Sequence, residues 1–124
     1  MTATASAIKL ANLIAATAAD KLGENIVAFD VTGITPLNDI CVLVSGRNER
    51  QVAAISDALE EKLLEVGVKS LRREGKTLAR WILQDFGDVV VHVMHEEERM
   101  YYTLERIYND CPVVALDSVA PQSL

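Results

Sequence analysis

A mixed α/β fold, with helices packed on a mixed β-sheet, is predicted by three features of the chain. The first is the run at residues 89–94, apolar on both alternating faces except at His92, which is how a central strand buried above and below reads. The second is the hairpin that contains it. Residues 81–85 alternate less cleanly, and Asp85-Phe86-Gly87-Asp88 reads as a tight reversal in which Gly87 can take positive φ. The third is the succession of helical and strand patterns in the order α-β-β-α-β-β-β-α.

Each element has its own signal. Residues 6–22 read as a helix with Ile8, Ala11, Ala15, Ala18 and Leu22 on one stripe, Ser6 as N-cap and Gly23 past the end. Residues 25–31 read as a strand ended by Thr32-Gly33, and Pro36 marks the loop that follows. Residues 40–44 form a second apolar strand, closed by Ser45-Gly46. The clearest helix spans residues 50–66, where Val52, Ile55, Leu59, Leu63 and Val66 repeat at helical spacing and Gly67 ends it. Asn48 with Gln51 resembles a capping pair. Residues 69–74 form a polar strand suited to an edge. After the hairpin, residues 95–108 read as the last helix, with Glu96, Glu97 and Glu98 at its start and Arg106 near its end, matching the helix dipole. Residues 112–124 carry two prolines and no period, and little order is expected there.

A chain of 124 residues is one domain with room for a core, and half of its residues are hydrophobic. We expect the domain to occupy residues 1–116, with a flexible tail at 117–124. The net charge of −6 disfavours direct nucleic-acid binding, which needs clustered cations. Arg47, Arg50, Lys62, Lys69, Arg72, Arg73, Lys76 and Arg80 gather in the middle third, and we read them as a solvated rim. Cys41 and Cys111 show neither a disulfide framework nor zinc spacing. No apolar run approaches membrane-spanning length, and no secretory signal is evident. A cytoplasmic protein with reduced thiols is expected.

Few constellations suggest chemistry. Asp85 and Asp88 could meet a divalent cation, but Asp in a turn more often bonds nearby backbone amides. Ser45-Gly46 ahead of a helix could cradle an anion, although a phosphate loop needs more glycines and a lysine. His92 and His95 face opposite ways on one strand, and His92 is expected to be a satisfied core histidine. Trp81, the only tryptophan, is either core or an interface anchor; whether Phe86 shares its surface is open, because the turn frees Phe86 from strand parity. Of adjacent Tyr101 and Tyr102, one should pack and the other face outward. Read from the residues alone, this is an acidic α/β domain with no assembled active site, metal site or cofactor site.

Several segments together resemble the ribosomal silencing factor family, also called Iojap. They are Phe29-Asp30-Val31 with Gly33; Asp39; Ser45-Gly46 followed by Arg50-Gln51-Val52; Glu74-Gly75; Trp81 with Asp85; Gly87-Asp88-Val89-Val90-Val91-His92-Val93; and Arg99, Tyr102 and Leu104-Glu105. The match covers about residues 6–116 in order. Ile40-Cys41 stands where the family usually has an aromatic pair, and Ile107-Tyr108 where it has Leu-Trp. The resemblance implies a nucleotidyltransferase-like fold without the transfer chemistry, since no Asp-x-Asp strand follows Ser45-Gly46. It further implies a non-enzymatic translation repressor. Such a protein binds ribosomal protein L-fourteen on the large ribosomal subunit and blocks joining with the small subunit. Homodimers off the ribosome and at most peripheral RNA contact are expected. Alternatives are a large-subunit assembly factor and, less favoured, a nucleotidyl or phosphoryl transferase. On this reading Trp81 and Phe86 are apolar anchors and Met94 adds adaptable contact. Asp85 and Asp88 supply charge or hold the turn, Arg80 and Lys76 form the rim, and Gly87, His92 and Gly46 shape the scaffold.

Overall fold

The computed structural model describes residues 1–118. Its framework is a six-stranded mixed sheet. The strands are β1 (Glu24–Asp30), β2 (Ile40–Gly46), β3 (Arg72–Glu74), β4 (Trp81–Asp85), β5 (Val89–His95) and β6 (Val113–Val114). Their order across the sheet is β3-β4-β5-β2-β1-β6. Only β2 and β5 run parallel, in register from Ile40↔Val89 to Gly46↔His95; every other pair is antiparallel. A parallel pair needs a crossover, and helix α2 (Glu49–Glu65) lies within it. The apolar run at 89–94 thus occupies an inner position, as its composition predicts.

Helix α1 (Ala5–Asp20) is capped by Thr4, whose hydroxyl accepts from the Ala7 amide at 3.1 Å, and not by Ser6. Thr4 has extended backbone, whereas Ser6 already lies inside the first turn. The buried stripe is Ala7, Ala11, Ile14, Ala15 and Ala18. Ile8 and Leu22, expected on that stripe, are exposed. Small alanines let the helix approach the sheet closely, with Ile14 the one large side chain on the buried stripe.

Helix α2 begins as its capping pair predicts. The Asn48 side chain accepts from the Gln51 amide at 2.8 Å, while the Gln51 side chain accepts from the Arg47 amide at 2.7 Å. Val52, Ile55, Leu59 and Leu63 are buried against the sheet, but Val66 is the exposed C-cap. With α1 they cover one face of the sheet, over Ile26, Ala28, Ile40, Val42, Val44, Ile82, Val89, Val91 and Val93.

The last helix is shorter than its sequence suggests. Helix α3 (Glu96–Tyr102) stops where Thr103 enters the left-handed region at φ 43°, and a 3-10 turn follows at Leu104–Arg106. The break lets Leu104 drop onto the opposite face of the sheet, beside Phe29, Val31, Cys41, Leu43 and Met94. Residues 112–124 were expected to lack order, yet Val113–Val114 pairs with Ala28–Phe29, and the Pro112 carbonyl accepts from the Asp30 amide at 2.8 Å. These bonds satisfy backbone groups that an unpaired β1 would leave at an edge. Residues 119–124 of the expected tail lie outside the described residues.

Candidate functional site

The face opposite α1 and α2 is only half covered. Strand parity places Trp81, Leu83 and Asp85 of β4 and Val90, His92 and Met94 of β5 on this face. Over β1 and β2 it is closed by Leu104, by Cys111 and by Tyr108, whose ring stacks on Phe29 at 5.4 Å. Burial pushes the Cys41 thiol beneath this cover up to about 12, so it is inert as a nucleophile. Over β4 and β5, Trp81, Leu83, Val90 and His92 remain half-buried.

Aromatic rings collect at the edge of the open half. The Trp81 indole N–H donates to His92 Nδ1 at 3.0 Å. Tyr102 lies 4.8 Å from the Trp81 ring and meets Tyr101 edge-on at 5.0 Å. Tyr101 is 81% exposed and Tyr102 50%, so neither ring of the pair is buried and the split expected between them is only one of degree. A groove of about 410 Å³ beside Trp81 is lined by Gly75, Thr77, Leu78, Arg80, Glu98 and Tyr102. Gly75 makes the approach possible. Its φ is +91°, and a Cβ there would stand 2.0 Å from the Trp81 carbonyl oxygen.

Desolvation lowers the His92 pKa to about 4, so the ring is neutral at physiological pH. Since Nδ1 accepts, its proton sits on Nε2. His92 is therefore satisfied, as expected, but on the half-open face and by Trp81, not within an apolar core.

Arg80 fixes α3 at the end of the sheet. Its guanidinium bonds Glu98 at 2.6 Å, Glu97 at 2.8 Å and Glu49 of α2 at 2.6 Å. Hydrogen bonds to Glu98 and Glu97 push the Arg80 pKa further up, and the same contact holds Glu98 below the usual carboxylate range. Arg80 thus ties three elements together while also lining the groove.

Two expected contact residues are placed elsewhere. Phe86 is only 6% exposed and belongs to the helix-side core. Parity persists one residue further than the sequence suggests: Ile82, Gln84 and Phe86 all point to the helices, and the reversal closes with the Phe86 amide on the Val89 carbonyl. The hairpin tip therefore presents no aromatic ring. Met94 is fully buried beneath the α3 side, so its flexibility serves packing. The carboxylates behave as turn chemistry. Asp85 Oδ1 accepts from the Gly87 amide at 2.9 Å and from Asn38 at 3.2 Å, Gly87 has φ +92°, and Asp88 is exposed.

Lys76 is exposed and lies 3.5 Å from Asp57, which also bonds Arg73. Among the described residues, each cation of the middle third except Arg50 and Lys69 has a carboxylate partner within ion-pair distance. These cations are largely neutralised in place.

The Ser45-Gly46 turn is committed to packing. Ser45 is buried and its hydroxyl accepts from Arg99 Nη1 at 2.9 Å, while Arg99 Nε donates to Glu105 at 3.0 Å. A Cβ on Gly46 would stand 2.8 Å from Val52, so glycine serves the close approach of α2. Among the described residues, His95, Glu97 and Glu98 alone bring three potential metal-ligand atoms together, within 4.8 Å. Arg80 occupies both carboxylates, and His95 Nδ1 accepts from the Glu97 amide. No helix of the described residues is long and apolar enough to cross a membrane.

Leu83, Val90, Leu78, Tyr101 and Tyr102 join the open face without having been singled out as contacts. Leu83 and Val90 were legible, being two residues from Trp81 and His92 on their strands. Leu78 and Tyr102 reach the groove only through the fold.

The comparisons with known proteins agree with this architecture. Residues 4–123 match the model of the family described as ribosomal silencing factor during starvation. The ribosomal silencing factor RsfS of Halalkalibacterium halodurans is 44% identical over 100 residues, covering 81% of this chain and 86% of its own. RsfS of Bacillus subtilis is 41% identical over 105 residues, covering 85% and 89%. A crystal structure of a Bacillus halodurans protein superposes with a TM-score of 0.78 at 41% identity, covering 87% of this chain and 98% of that one.

Proposed function

This chain belongs to the ribosomal silencing factor family, and on that premise we propose that it binds the large ribosomal subunit and sterically blocks joining with the small one. The partner on the subunit is ribosomal protein L-fourteen. The protein thereby represses translation in the cytoplasm, and off the ribosome it is a homodimer. The observation that carries the docking part is the half-open sheet face, where Trp81, Leu83, Val90 and the exposed tyrosines of α3 form an apolar and aromatic surface. Large aromatic anchors of this kind dominate protein interfaces. The net charge of −6 supports a basic protein surface as partner over ribosomal RNA. Asp85 and Asp88 add negative charge at the edge of the face, Arg80 holds its α3 border, and Lys76 stands on the rim.

The test is co-sedimentation of the purified protein with isolated large and small subunits, followed by a subunit-joining assay. Binding to the large subunit alone, with loss of joining, is expected. Binding to neither subunit would refute the proposal. Binding without loss of joining would leave the docking and remove the blocking. Sedimentation equilibrium of the free protein reads the dimer directly.

A further inference from the structure

We propose that His92 is a positioning residue of the docking face: by capturing the only indole N–H in the chain, it presents Trp81 to a partner as ring surface with no free donor. The proposal rests on the docking reading above and adds what that face can recognise. Trp81 and His92 are diagonal neighbours across β4 and β5, since Trp81 pairs with Met94 and Leu83 with His92. The bond spans 3.0 Å, and the ring centroids are 6.0 Å apart at 54°. Tyr102 packs 4.8 Å from the same indole. The N–H edge is therefore turned toward β5. Trp81 also lines the groove, together with Thr77 and Leu78.

Two consequences follow from the chemistry. A half-exposed indole with one bonded orientation loses little freedom when a partner arrives, so the face is preorganised. The bond also selects the partner. A phosphate, carboxylate or carbonyl oxygen finds no donor on Trp81. An aliphatic stem, or the guanidinium or ammonium of a basic protein, finds a π face, with Asp85 and Asp88 on the same hairpin. The bond requires a neutral imidazole with its lone pair at Nδ1, and burial of His92 maintains that state.

Because the chain has one tryptophan, a proton–nitrogen correlation spectrum shows a single indole resonance, and its exchange with solvent can be followed in the free protein. Substitution His92→Asn keeps an acceptor near the Nδ1 position, whereas His92→Leu removes it and keeps the bulk. We expect His92→Leu to accelerate indole exchange at least ~10-fold and to weaken binding to the large subunit about 10-fold, with His92→Asn within about 2-fold of the parent in both. If His92→Leu does not fold, His92→Ala provides the same comparison. Slow indole exchange in the acceptor-free variant would overturn the proposal, as would fast exchange with unchanged affinity. Failure of the parent protein to bind the large subunit would overturn the docking reading and this role with it. That failure is distinguishable, because exchange is measured without the ribosome.

Discussion

The two faces of the sheet differ in what their residues are for. The helix-side face is closed: Ala7, Ala11, Ile14, Ile55, Leu59, Ile82 and Val91 are all fully buried, and small alanines sit where α1 comes close. Its polar groups are few; Gln84 Nε2 donates to the Ser56 carbonyl at 3.0 Å and to Glu60 at 3.2 Å, while its buried Oε1 has no partner among the described residues. The opposite face is closed only over β1 and β2. Over β4 and β5 it keeps a tryptophan, a histidine and a leucine half-exposed beside two tyrosines. The sheet is shared, so the difference lies in the cover. Two long helices seal one side, while a seven-residue helix, a 3-10 turn and the turn that carries Tyr108 and Cys111 seal half of the other. Packing is concentrated on the first face, and the proposed docking surface lies on the second.

The largest expected effect tests the closed face. Leu59→Ala removes a fully buried side chain between α2 and the sheet and should cost about 3 kcal/mol in urea unfolding, with subunit binding unchanged in the folded fraction. A loss below ~1 kcal/mol would show that this face relaxes and is not the main source of stability.

Acid tests the open face nearly as strongly. The His92 pKa is lowered by burial from 6.5 to about 4, so folding favours the neutral ring. Its contribution is complete above about pH 6.5 and fades as pH falls toward 4, a swing of about 3 kcal/mol. Stability measured against pH in the parent and in His92→Leu should differ in slope within that window and nowhere above it. Identical slopes would show that His92 is not desolvated. Asp57, held below the usual carboxylate range by its bond to Arg73, adds stability that is lost only at lower pH, below about 4.

Trp81→Ala should weaken large-subunit binding by at least ~2 kcal/mol, about 30-fold. An unchanged affinity in a folded variant would move the contact surface away from this groove. Arg80→Ala should have a smaller effect, a modest loss of stability that shrinks in high salt, because two of its three carboxylate partners, Glu49 and Glu97, are themselves exposed to water. Lys76→Ala should fall within ~0.5 kcal/mol of the parent in both stability and binding, as its single partner is 3.5 Å away on an exposed helix face. A larger binding loss would place the rim inside the interface.

Some features were legible because they depend on neighbours in the chain. The repeat of Val52, Ile55, Leu59 and Leu63, the Asn48–Gln51 capping pair and the positive φ of Gly87 are local, and all are present. The inner position of β5 follows from a strand with no polar alternation except His92. Other features needed contacts distant in sequence. Neither the break at Thr103 nor the pairing of Val113–Val114 with β1 has a local signal. Each is stabilised by what it reaches, Leu104 in the second core and the free edge of β1. Phe86 lies on the helix side because the strand's alternation persists one residue past the end of β4, where a turn conformation was expected to break it.

The sequence by itself determined the types of most elements, the acidic balance and the presence of Trp81, His92 and the hairpin that holds them. Periodicity and turn chemistry act within a few residues, so they can be read along the chain. Only the tertiary structure decided which half of the sheet stays open, that Phe86 and Met94 are buried, and that the indole N–H of Trp81 is spent on His92. Those outcomes depend on which cover reaches which strand, and cover is made by segments far apart in sequence.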